Sequence, residues 1–302
     1  MIDQISVVIC AFDDARWDSL LEGVGTLAAQ PVPPREVIVV IDNNRSLFDR
    51  ARATLEGALV IENTGADGAG GAKNTGIRAA SGSIVAFLDD DAVPSPQWLP
   101  GLAEMYRRRD VAGVGGSAEP VWSTTRPAWF PREFDWVVGC SYLGMPETTQ
   151  EVRNLFGCNM SFRRELLDAL DGFRMGYVCE ETELCIRLGQ RWPEMKLIYV
   201  PEAKVLHKVP ENRTKLRRFL WRCYFEGGRK AVVSKLVGTG AALATEYQYT
   251  REVLPVGVRR GILEFVREGD VDGLARAAVI VAGLATTSAG YLVARLSPAK
   301  TT

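Results

Sequence analysis

The chain has 302 residues, of which 47% are hydrophobic and 24% are charged, a composition that excludes disorder as its main state. Its 36 Lys and Arg residues against 37 Asp and Glu give a net charge of −1, so we expect neither a general polyanion binder nor a nucleic-acid partner. The six cysteines lack metal-type spacing and the N-terminus lacks a signal-peptide pattern, which predicts a cytoplasmic protein.

Short β-rich runs alternate with amphipathic stretches over the first 120 residues. The runs are residues 5–11, 36–41, 58–62 and 83–88, each near-continuous in Val, Ile and Leu. The predicted crossover helices between and after them are residues 17–29, 47–55, 72–80 and 98–108. This alternation predicts an α/β fold with a Rossmann-like, mostly parallel sheet flanked by helices.

Residues from about 119 to 156 lose this periodicity and are rich in aromatic side chains, Trp136 among them. Long irregular segments are usually functional loops or covers, and aromatic faces stack on sugar rings, with plain loop packing as the alternative. Further along the chain, helices are predicted at residues 163–170 and 180–190, and a short strand at residues 196–200.

Polar and acidic residues follow three of the predicted strands. Phe12 and Asp13 follow the first strand, Asp42 follows the second, and the triplet Asp89-Asp90-Asp91 follows the fourth. Because an open parallel sheet binds ligands at the carboxyl ends of its strands, we expect these side chains at one edge. Adjacent carboxylates repel one another, so the triplet predicts a divalent cation, with an acidic turn or a helix cap as the alternative.

Further motifs downstream complete a family pattern. They are Gly157-Cys158-Asn159-Met160-Ser161-Phe162-Arg163, Gly172-Phe173, Glu180-Glu181, and His207 after Pro201. With the first strand, Asp42, the run Gly71-Ala72-Lys73-Asn74-Thr75-Gly76 and the acidic triplet, the sequence resembles glycosyltransferase family 2 over roughly residues 5–207. The resemblance implies the GT-A fold and inverting transfer of a sugar from a nucleotide-sugar, UDP-sugars being favoured, to an acceptor hydroxyl.

The resemblance also implies a metal site. Asp89 and Asp91 are similar to the family's DxD pair, with Asp91 as the more direct ligand and Asp89 nearer the ribose or sugar. Mn²⁺ or Mg²⁺ held there would neutralise the diphosphate leaving group. His207 lies where relatives place a histidine that joins the metal and the diphosphate, and a purely structural histidine is the alternative.

A donor nucleotide site follows from the same resemblance. The residues assigned to it are Phe12, Asp13, Asp42, Lys73, Asp89 and Asp90. Asp42 is similar to the residue that contacts the base or ribose, and Lys73 is available to the diphosphate. The glycine-rich loop at residues 65–71 allows close backbone approach, with a flexible turn as the alternative. It is neither a P-loop nor GxGxxG, which disfavours an ATPase or a dehydrogenase.

An inverting transfer needs a base for the acceptor proton. The family's base is the second member of an acidic pair, usually Asp, at the start of a helix. Glu181 takes that position here, Glu180 is the second candidate, and Glu183 is expected to face away. Acidic residues also favour helix N-termini, which is the alternative explanation. The residues assigned to the acceptor or sugar side are Asn159, Arg163 and Trp136.

The C-terminal part has a different character. We predict a transferase domain at residues 1–210, with a donor half at 1–118 and an acceptor half at 119–210, and a helical extension at 211–302. Residues 204–235 carry a local charge of +8, typical of a solvated helix face or of a surface for anionic lipid or substrate phosphates. Residues 277–294 contain no charge, which leaves a buried helix, peripheral membrane contact and a membrane span as alternatives.

These C-terminal features suggest the hypothesis of a lipid-linked or amphiphilic acceptor and of contact with the inner face of the cell membrane. Two other functions remain as alternatives. A nucleotidyltransferase would share the core but usually has a glycine- and basic-rich loop after its first strand, where this chain has Phe12-Asp13-Asp14. A non-catalytic sugar- or nucleotide-binding relative would keep the fold while losing acidic residues, whereas this chain keeps both the triplet and the pair.

Overall fold

The computed structural model describes residues 4–175, 179–237 and 247–297. By their contacts, the residues form two compact units, residues 1–119 with 146–207 and residues 120–145 with 208–302. The segment 120–145, which the sequence analysis assigned to the acceptor half of the transferase domain, therefore belongs to the unit of the C-terminal helices. The division into a donor half and an acceptor half stays a prediction.

The first unit is built on a nine-stranded sheet in the order β3-β2-β1-β4-β8-β6-β9-β5, with β7 paired to β9. The strands are β1 Ile5–Ala11, β2 Glu36–Ile41, β3 Ala58–Glu62, β4 Ile84–Asp89, β5 Ala92–Pro94, β6 Val111–Trp122, β7 Gln150–Val152, β8 Asn159–Arg163 and β9 Lys196–Val209. The last residues of β6 and β9 belong to the second unit. The strands β3, β2, β1 and β4 are parallel, whereas β8 is antiparallel to β4 and β5 is antiparallel to β9.

Helices cover this sheet, so the predicted α/β fold with a Rossmann-like parallel core is confirmed. They are α1 Trp17–Ala28, α2 Arg45–Thr54, α3 Ala69–Ala79, α4 Trp98–Met105, α5 Arg164–Ala169 and α6 Glu180–Arg191, with a 3₁₀ turn at Asp14–Arg16. Two hydrophobic clusters bury alternate residues of the central strands, for example Val7 and Ile9 of β1 in one cluster and Val8 in the other. Burial on both faces explains the near-continuous apolar runs in the sequence.

Four strands of the sheet, β5, β6, β7 and β8, escaped sequence analysis. β5 and β7 are only three residues long, and β6 and β8 carry buried polar or glycine residues. In β8, the Ser161 hydroxyl donates to the Val114 carbonyl at 2.8 Å and lies 2.9 Å from the Tyr106 hydroxyl. β6 begins Val-Ala-Gly-Val-Gly-Gly-Ser, and small residues give little hydrophobic signal. The strand predicted at residues 196–200 is the first part of the longer β9, and β4 includes Asp89 as its last residue.

The second unit is helical, which confirms the predicted C-terminal extension. Its elements are 3₁₀ segments at Arg132–Val138 and Glu211–Thr214, α7 Leu216–Val237, a π-helical turn at Tyr249–Val253, α8 Leu254–Glu268 and α9 Val271–Leu296. Aromatic side chains form its core, and the ring of Phe219 lies 5.3 Å from the rings of both Phe130 and Phe134.

Glycines bring the C-terminal helices into backbone contact. A β-carbon at Gly290 of α9 would overlap the Tyr224 carbonyl oxygen of α7, and one at Gly261 of α8 would overlap the Gly273 carbonyl oxygen of α9. Within the described ranges, α9 is the one helix long and apolar enough to cross a membrane. Only 22% of its most apolar stretch is buried, so α9 is packed on one side and is not a fully covered core helix.

Candidate active site

The strand register brings three predicted site segments to one edge of the sheet. Cys10 of β1 pairs with Asp89 of β4, and Ala11 of β1 pairs with Ile41 of β2. Because these strands are parallel and in register, the residues that follow them leave the sheet together. Phe12, Asp42 and the acidic triplet therefore share the carboxyl edge, where open α/β sheets bind ligands.

The acidic triplet meets His207 through strand pairing. Ala92 of β5 pairs with His207 of β9, which places His207 Nε2 3.1 Å from Asp91 Oδ1. Asp89, Asp91 and His207 each offer a ligand atom, and these atoms lie within 4.8 Å of one another. Asp91 and His207 are 4% and 3% exposed. The structure thus brings together the three residues assigned to the metal.

The chemistry of these three side chains fits a divalent ion. Two carboxylates supply hard oxygen ligands and the imidazole supplies a nitrogen ligand, a set that suits a first-row divalent metal. His207 Nδ1 is buried and has no hydrogen-bond partner among the described residues, so the ring is not committed to a structural bond on that side. A divalent metal ion is the expected cofactor of this site.

Arg16 is a site residue that sequence analysis missed. Its Nη1 donates to Asp90 Oδ1 at 2.5 Å, and its Nη2 lies 3.3 Å from Asp91 Oδ2. Part of the charge of the triplet is therefore compensated by this guanidinium. Burial raises the pKa of Asp90 to about 7, opposed by Arg16 and reinforced by Asp91 and Asp89. No spacing in the sequence identifies Arg16, because the contact forms only when the turn after β1 folds beside the triplet.

Asp42 holds the glycine-rich loop in place. Its Oδ2 accepts from the Gly68 amide at 2.8 Å and its Oδ1 accepts from Asn63 Nδ2 at 2.7 Å. A β-carbon at Gly71, in the first turn of α3, would overlap the carbonyl oxygen of Ala66 in the loop, so only glycine allows this close approach. The loop leads directly into α3, and the carboxylate assigned to the nucleotide thus also shapes the backbone beside it.

Lys73 lies between two acidic groups of the site. It is 8% exposed, and its ammonium lies 5.3 Å from the centre of the Phe173 ring. Burial alone would lower the pKa of Lys73, but the charges of Asp89, Glu181 and Glu180 outweigh it and raise the pKa. Lys73 therefore stays cationic between the strand-end acids and the first turn of α6.

The acidic residues that begin α6 have different surroundings. Glu183 is 4% exposed and is bound by Arg187 at 2.9 Å and Arg174 at 3.3 Å, as expected for the residue that faces away. The Glu180 carboxylate lies against Gly70 in the first turn of α3. Glu181 is half-buried beside Gly157, and its carboxylate has no hydrogen bond or ion pair with any residue that the structure describes. Its carboxylate is thus available to a ligand.

Asn159 does not have the surroundings of a sugar-binding residue. It is 0% exposed. Its Nδ2 donates to the carbonyls of Ser117 and Ala203, both at 2.8 Å, and its Oδ1 accepts from the indole of Trp98 at 2.7 Å. The sequence assignment to the acceptor or sugar side is therefore corrected: Asn159 ties together the backbones of β6 and β9.

Arg163 is likewise placed away from the acidic edge. It pairs with Ile84 at the start of β4, whereas the triplet follows the end of that strand. Its guanidinium donates to the carbonyls of Val111 at 2.7 Å and Arg108 at 2.8 Å. The assignment of Arg163 to the acceptor or sugar is corrected to a role in holding backbone at the opposite edge.

The remaining assigned residues are more exposed or belong to the other unit. Phe12 is 58% exposed, with the Arg16 guanidinium 5.7 Å from the centre of its ring. Asp13 caps the following 3₁₀ turn by accepting from the Ala15 amide at 2.9 Å. Trp136 lies in the second unit, where its indole donates to the Tyr249 hydroxyl at 3.4 Å.

Known proteins are similar in sequence to this chain, one of them over nearly its whole length. The model of the family described as glycosyl transferase family 2 matches residues 6–171. The glucosyl-dolichyl phosphate glucuronosyltransferase of Haloferax volcanii is 30% identical over 98% of this chain and 97% of that protein. The succinoglycan biosynthesis protein ExoM of Rhizobium meliloti is 28% identical over 70% of this chain and 69% of that protein.

Solved structures share the fold. The mannosyltransferase PcManGT from Pyrobaculum calidifontis, in complex with GDP-Man and Mn²⁺, superposes with a TM-score of 0.58 at 18% identity, covering 94% of this chain and 86% of that one. GalNAc-T7 with UDP, GalNAc and Mn²⁺ gives a TM-score of 0.54 at 17% identity, covering 83% and 56%. Both neighbours have the GT-A fold. The chain therefore belongs to glycosyltransferase family 2 and is a glycosyltransferase with the GT-A fold.

Proposed function

We propose that this glycosyltransferase transfers a sugar with inversion from a UDP-sugar to a hydroxyl of a lipid-linked acceptor. The grouping of Asp89, Asp91 and His207 at the carboxyl edge of the sheet supports this most strongly, because a nucleoside diphosphate leaves as a polyanion. An ion held by these residues would stabilise the charge of that leaving group. We favour Mn²⁺ over Mg²⁺, since one of the three ligands is a nitrogen.

In this proposal the residues around the metal orient the donor. Asp42 and Phe12 are close to one another at the ends of adjacent strands, and we assign them to the nucleoside. Lys73 carries a positive charge among the acids of the site and is assigned to the diphosphate. Arg16 holds the carboxylate of Asp90, and thereby fixes the turn that presents Asp89 and Asp91.

Glu181 is the proposed base. In a single displacement the acceptor oxygen forms a bond to the anomeric carbon while the bond from that carbon to the diphosphate oxygen breaks. The acceptor hydroxyl loses its proton to a carboxylate during this step. Glu183 is engaged by two arginines, whereas Glu181 is available, which supports Glu181 in this role. Its extra methylene relative to the usual Asp extends its reach.

The lipid-linked acceptor is suggested by the relatives and by the second unit. The name of the Haloferax volcanii relative specifies a glucosyl-dolichyl phosphate acceptor, and that protein is similar to this chain over nearly its full length. The second unit adds basic helices and an apolar helix face to the transferase core. We accordingly place the protein in the cytoplasm, in contact with the inner face of the cell membrane.

A product analysis tests this function. The full chain is incubated with Mn²⁺, an α-linked UDP-sugar and either glucosyl-dolichyl phosphate or free glucose, and the released UDP and the anomeric configuration of the product are measured. We expect UDP release with the lipid-linked acceptor and a β-linked product. An α-linked product, or transfer unchanged by removal of divalent ions, would contradict the proposal. UDP binding without any transfer would favour the non-catalytic alternative.

A further inference from the structure

Exposed apolar side chains are concentrated in the second unit. Among the described residues, 23 large hydrophobic side chains are exposed, and 17 of these belong to the second unit, although it contains fewer residues than the first. Isolated exposed apolar residues are normal on soluble proteins, but a concentration of them marks an interaction surface.

Helix α9 carries a continuous part of this surface. From residue 274 to residue 293, every exposed position of the helix is Leu, Val, Ala or Ser, and these positions are Leu274, Ala278, Val281, Ala285, Ser288, Ala289, Leu292 and Val293. Their spacing of three or four residues places them on one face. At a rise of 1.5 Å per residue, this face is about 30 Å long. Arg276 points elsewhere, because it binds the Ala128 carbonyl and Glu264.

An apolar groove between α8 and α9 continues the surface. The groove has a volume of about 410 Å³ and is lined by Ile262 and Leu263 of α8 and by Val281 of α9, among others. Among the described residues that line the groove, Arg259 is the one that carries a charge. It is exposed and has no hydrogen bond or ion pair with any described residue. An arginine without a partner beside an apolar groove fits an amphiphile with an anionic head.

The second unit as a whole carries a net positive charge. By sequence the unit holds 18 Lys and Arg residues against 10 Asp and Glu, a net charge of +8, while the chain as a whole carries −1. Basic protein surfaces are attracted to anionic lipid headgroups near a membrane. The apolar face thus belongs to the positively charged part of the molecule.

We propose that the exposed face of α8 and α9 docks onto the surface of an anionic lipid bilayer. The apolar side chains of α9 would enter the boundary between headgroups and acyl chains, to a depth of about 5–10 Å, and Arg259 would meet a lipid phosphate. Docking fits better than spanning, because the other side of α9 is packed against α7 and α8 through glycine contacts. A helix held in this way lies along the interface.

Docking onto a bilayer would bring the active site to a lipid-linked acceptor, so the purpose of this surface rests on the proposed function. The residues involved, however, are not those of the donor site. Vesicle binding and nucleotide binding can therefore be measured independently, and failure of one leaves the other standing.

Vesicle flotation of the full chain is the test. The protein is mixed with vesicles of phosphatidylcholine alone or with one third phosphatidylglycerol, at about 0.1 M and 1 M NaCl, and the floating fraction is measured. We expect binding to the anionic vesicles at low salt, and weaker binding to neutral vesicles and at high salt. UDP binding in the presence of Mn²⁺ is measured on the same preparation.

Substitutions assign the binding to this face. The Val281 side chain is 57% exposed. Val281→Glu should reduce binding to the anionic vesicles at least about tenfold. The matched control is Leu21→Glu on α1 of the first unit, where the Leu21 side chain is 42% exposed. This variant should bind the vesicles as strongly as the wild type does. Arg259→Ala should weaken binding to anionic vesicles about fivefold, with Arg52→Ala on α2 as the control. Circular dichroism checks that all four variants are folded.

Three results would overturn the proposal. The first is absence of binding to anionic vesicles. The second is equal binding by Val281→Glu and Leu21→Glu. The third is resistance of the bound protein to extraction at alkaline pH, which would indicate a membrane span. If vesicles are not bound but light scattering gives twice the chain mass of 33.1 kDa, and Val281→Glu restores that mass to one chain, the face is instead an interface between two copies.

Discussion

His207 Nε2 lies 3.1 Å from Asp91 Oδ1 because Ala92 and His207 are partners across β5 and β9. The histidine comes from a strand at the C-terminal end of the first unit, whereas the carboxylate follows β4. Strand pairing, rather than closeness in sequence, therefore builds the metal site. This relation has a direct consequence for metal affinity.

His207→Ala should weaken Mn²⁺ binding by at least about tenfold, since even residues that only support metal ligands contribute factors of 10–100. Calorimetric titration of Mn²⁺ measures the effect, and Asp49→Ala, at an exposed position on α2, is the control. Unchanged Mn²⁺ affinity in a folded His207→Ala protein would show that the histidine is structural.

Arg16 and Asp90 should behave as a coupled pair. The Asp90 side chain is 2% exposed and that of Arg16 is 26% exposed, so Arg16→Met leaves a buried carboxylate without its cation. We expect a loss of about 2 kcal/mol in the free energy of unfolding, below the full value for a buried pair because Arg16 is partly solvated. Urea unfolding without metal measures it.

The double variant Arg16→Met/Asp90→Asn is the matched control for this pair. It removes both charges, so most of the lost stability should return. If Arg16→Met and the double variant were equally destabilised, the ion pair would not be the cause, and packing of the arginine stem would explain the loss.

Glu181→Gln should reduce the rate of transfer by about 10²–10⁴, the usual contribution of a general base, while the affinity for UDP and Mn²⁺ stays as in wild type. Glu181→Asp, which restores the residue usual in the family, should retain part of the rate. Glu180→Gln is the comparison, because its carboxylate lies against the first turn of α3. If Glu180→Gln lost more of the transfer rate than Glu181→Gln, Glu180 rather than Glu181 would be the base.

Gly71→Ala should impair both the fold of the glycine loop and nucleotide binding. The added β-carbon would overlap the Ala66 carbonyl oxygen, in a loop that Asp42 binds through Gly68. Gly189→Ala on α6 meets no atom within 4 Å and should instead stabilise the protein by about 0.5–1 kcal/mol. Thermal unfolding and UDP titration of the two variants check this. A Gly71→Ala protein that binds UDP normally would show that the loop is not part of the donor site.

The parallel half of the sheet was predictable because burial on both faces leaves long apolar runs, as in β1 and β2. β8 was not, because its buried polar residues are satisfied by partners distant in sequence, such as Trp98 for Asn159. The same burial explains why Asn159 resembled a site residue: its motif position was correct, but its amide serves the sheet.

The acidic edge was predictable for a topological reason, since parallel strands end together. The compensation of the acidic charge by Arg16 was not predictable. Arg16 is the last residue of the 3₁₀ turn at Asp14–Arg16, and nothing in its spacing connects it to Asp90, 74 residues further along the chain. Arg163 shows the opposite case: this motif residue ends β8, where it pairs with Ile84 at the start of β4, far from the acidic end of that strand.

Calorimetric titration of UDP with and without Mn²⁺, on wild type and on Asp91→Ala, tests the central claim most directly. The arrangement of Asp89, Asp91 and His207 predicts UDP binding that requires Mn²⁺ and that is lost in Asp91→Ala, in a variant that remains folded. Equal UDP affinity with and without the metal, or Mn²⁺-dependent binding that survives in Asp91→Ala, would contradict the assignment of this site.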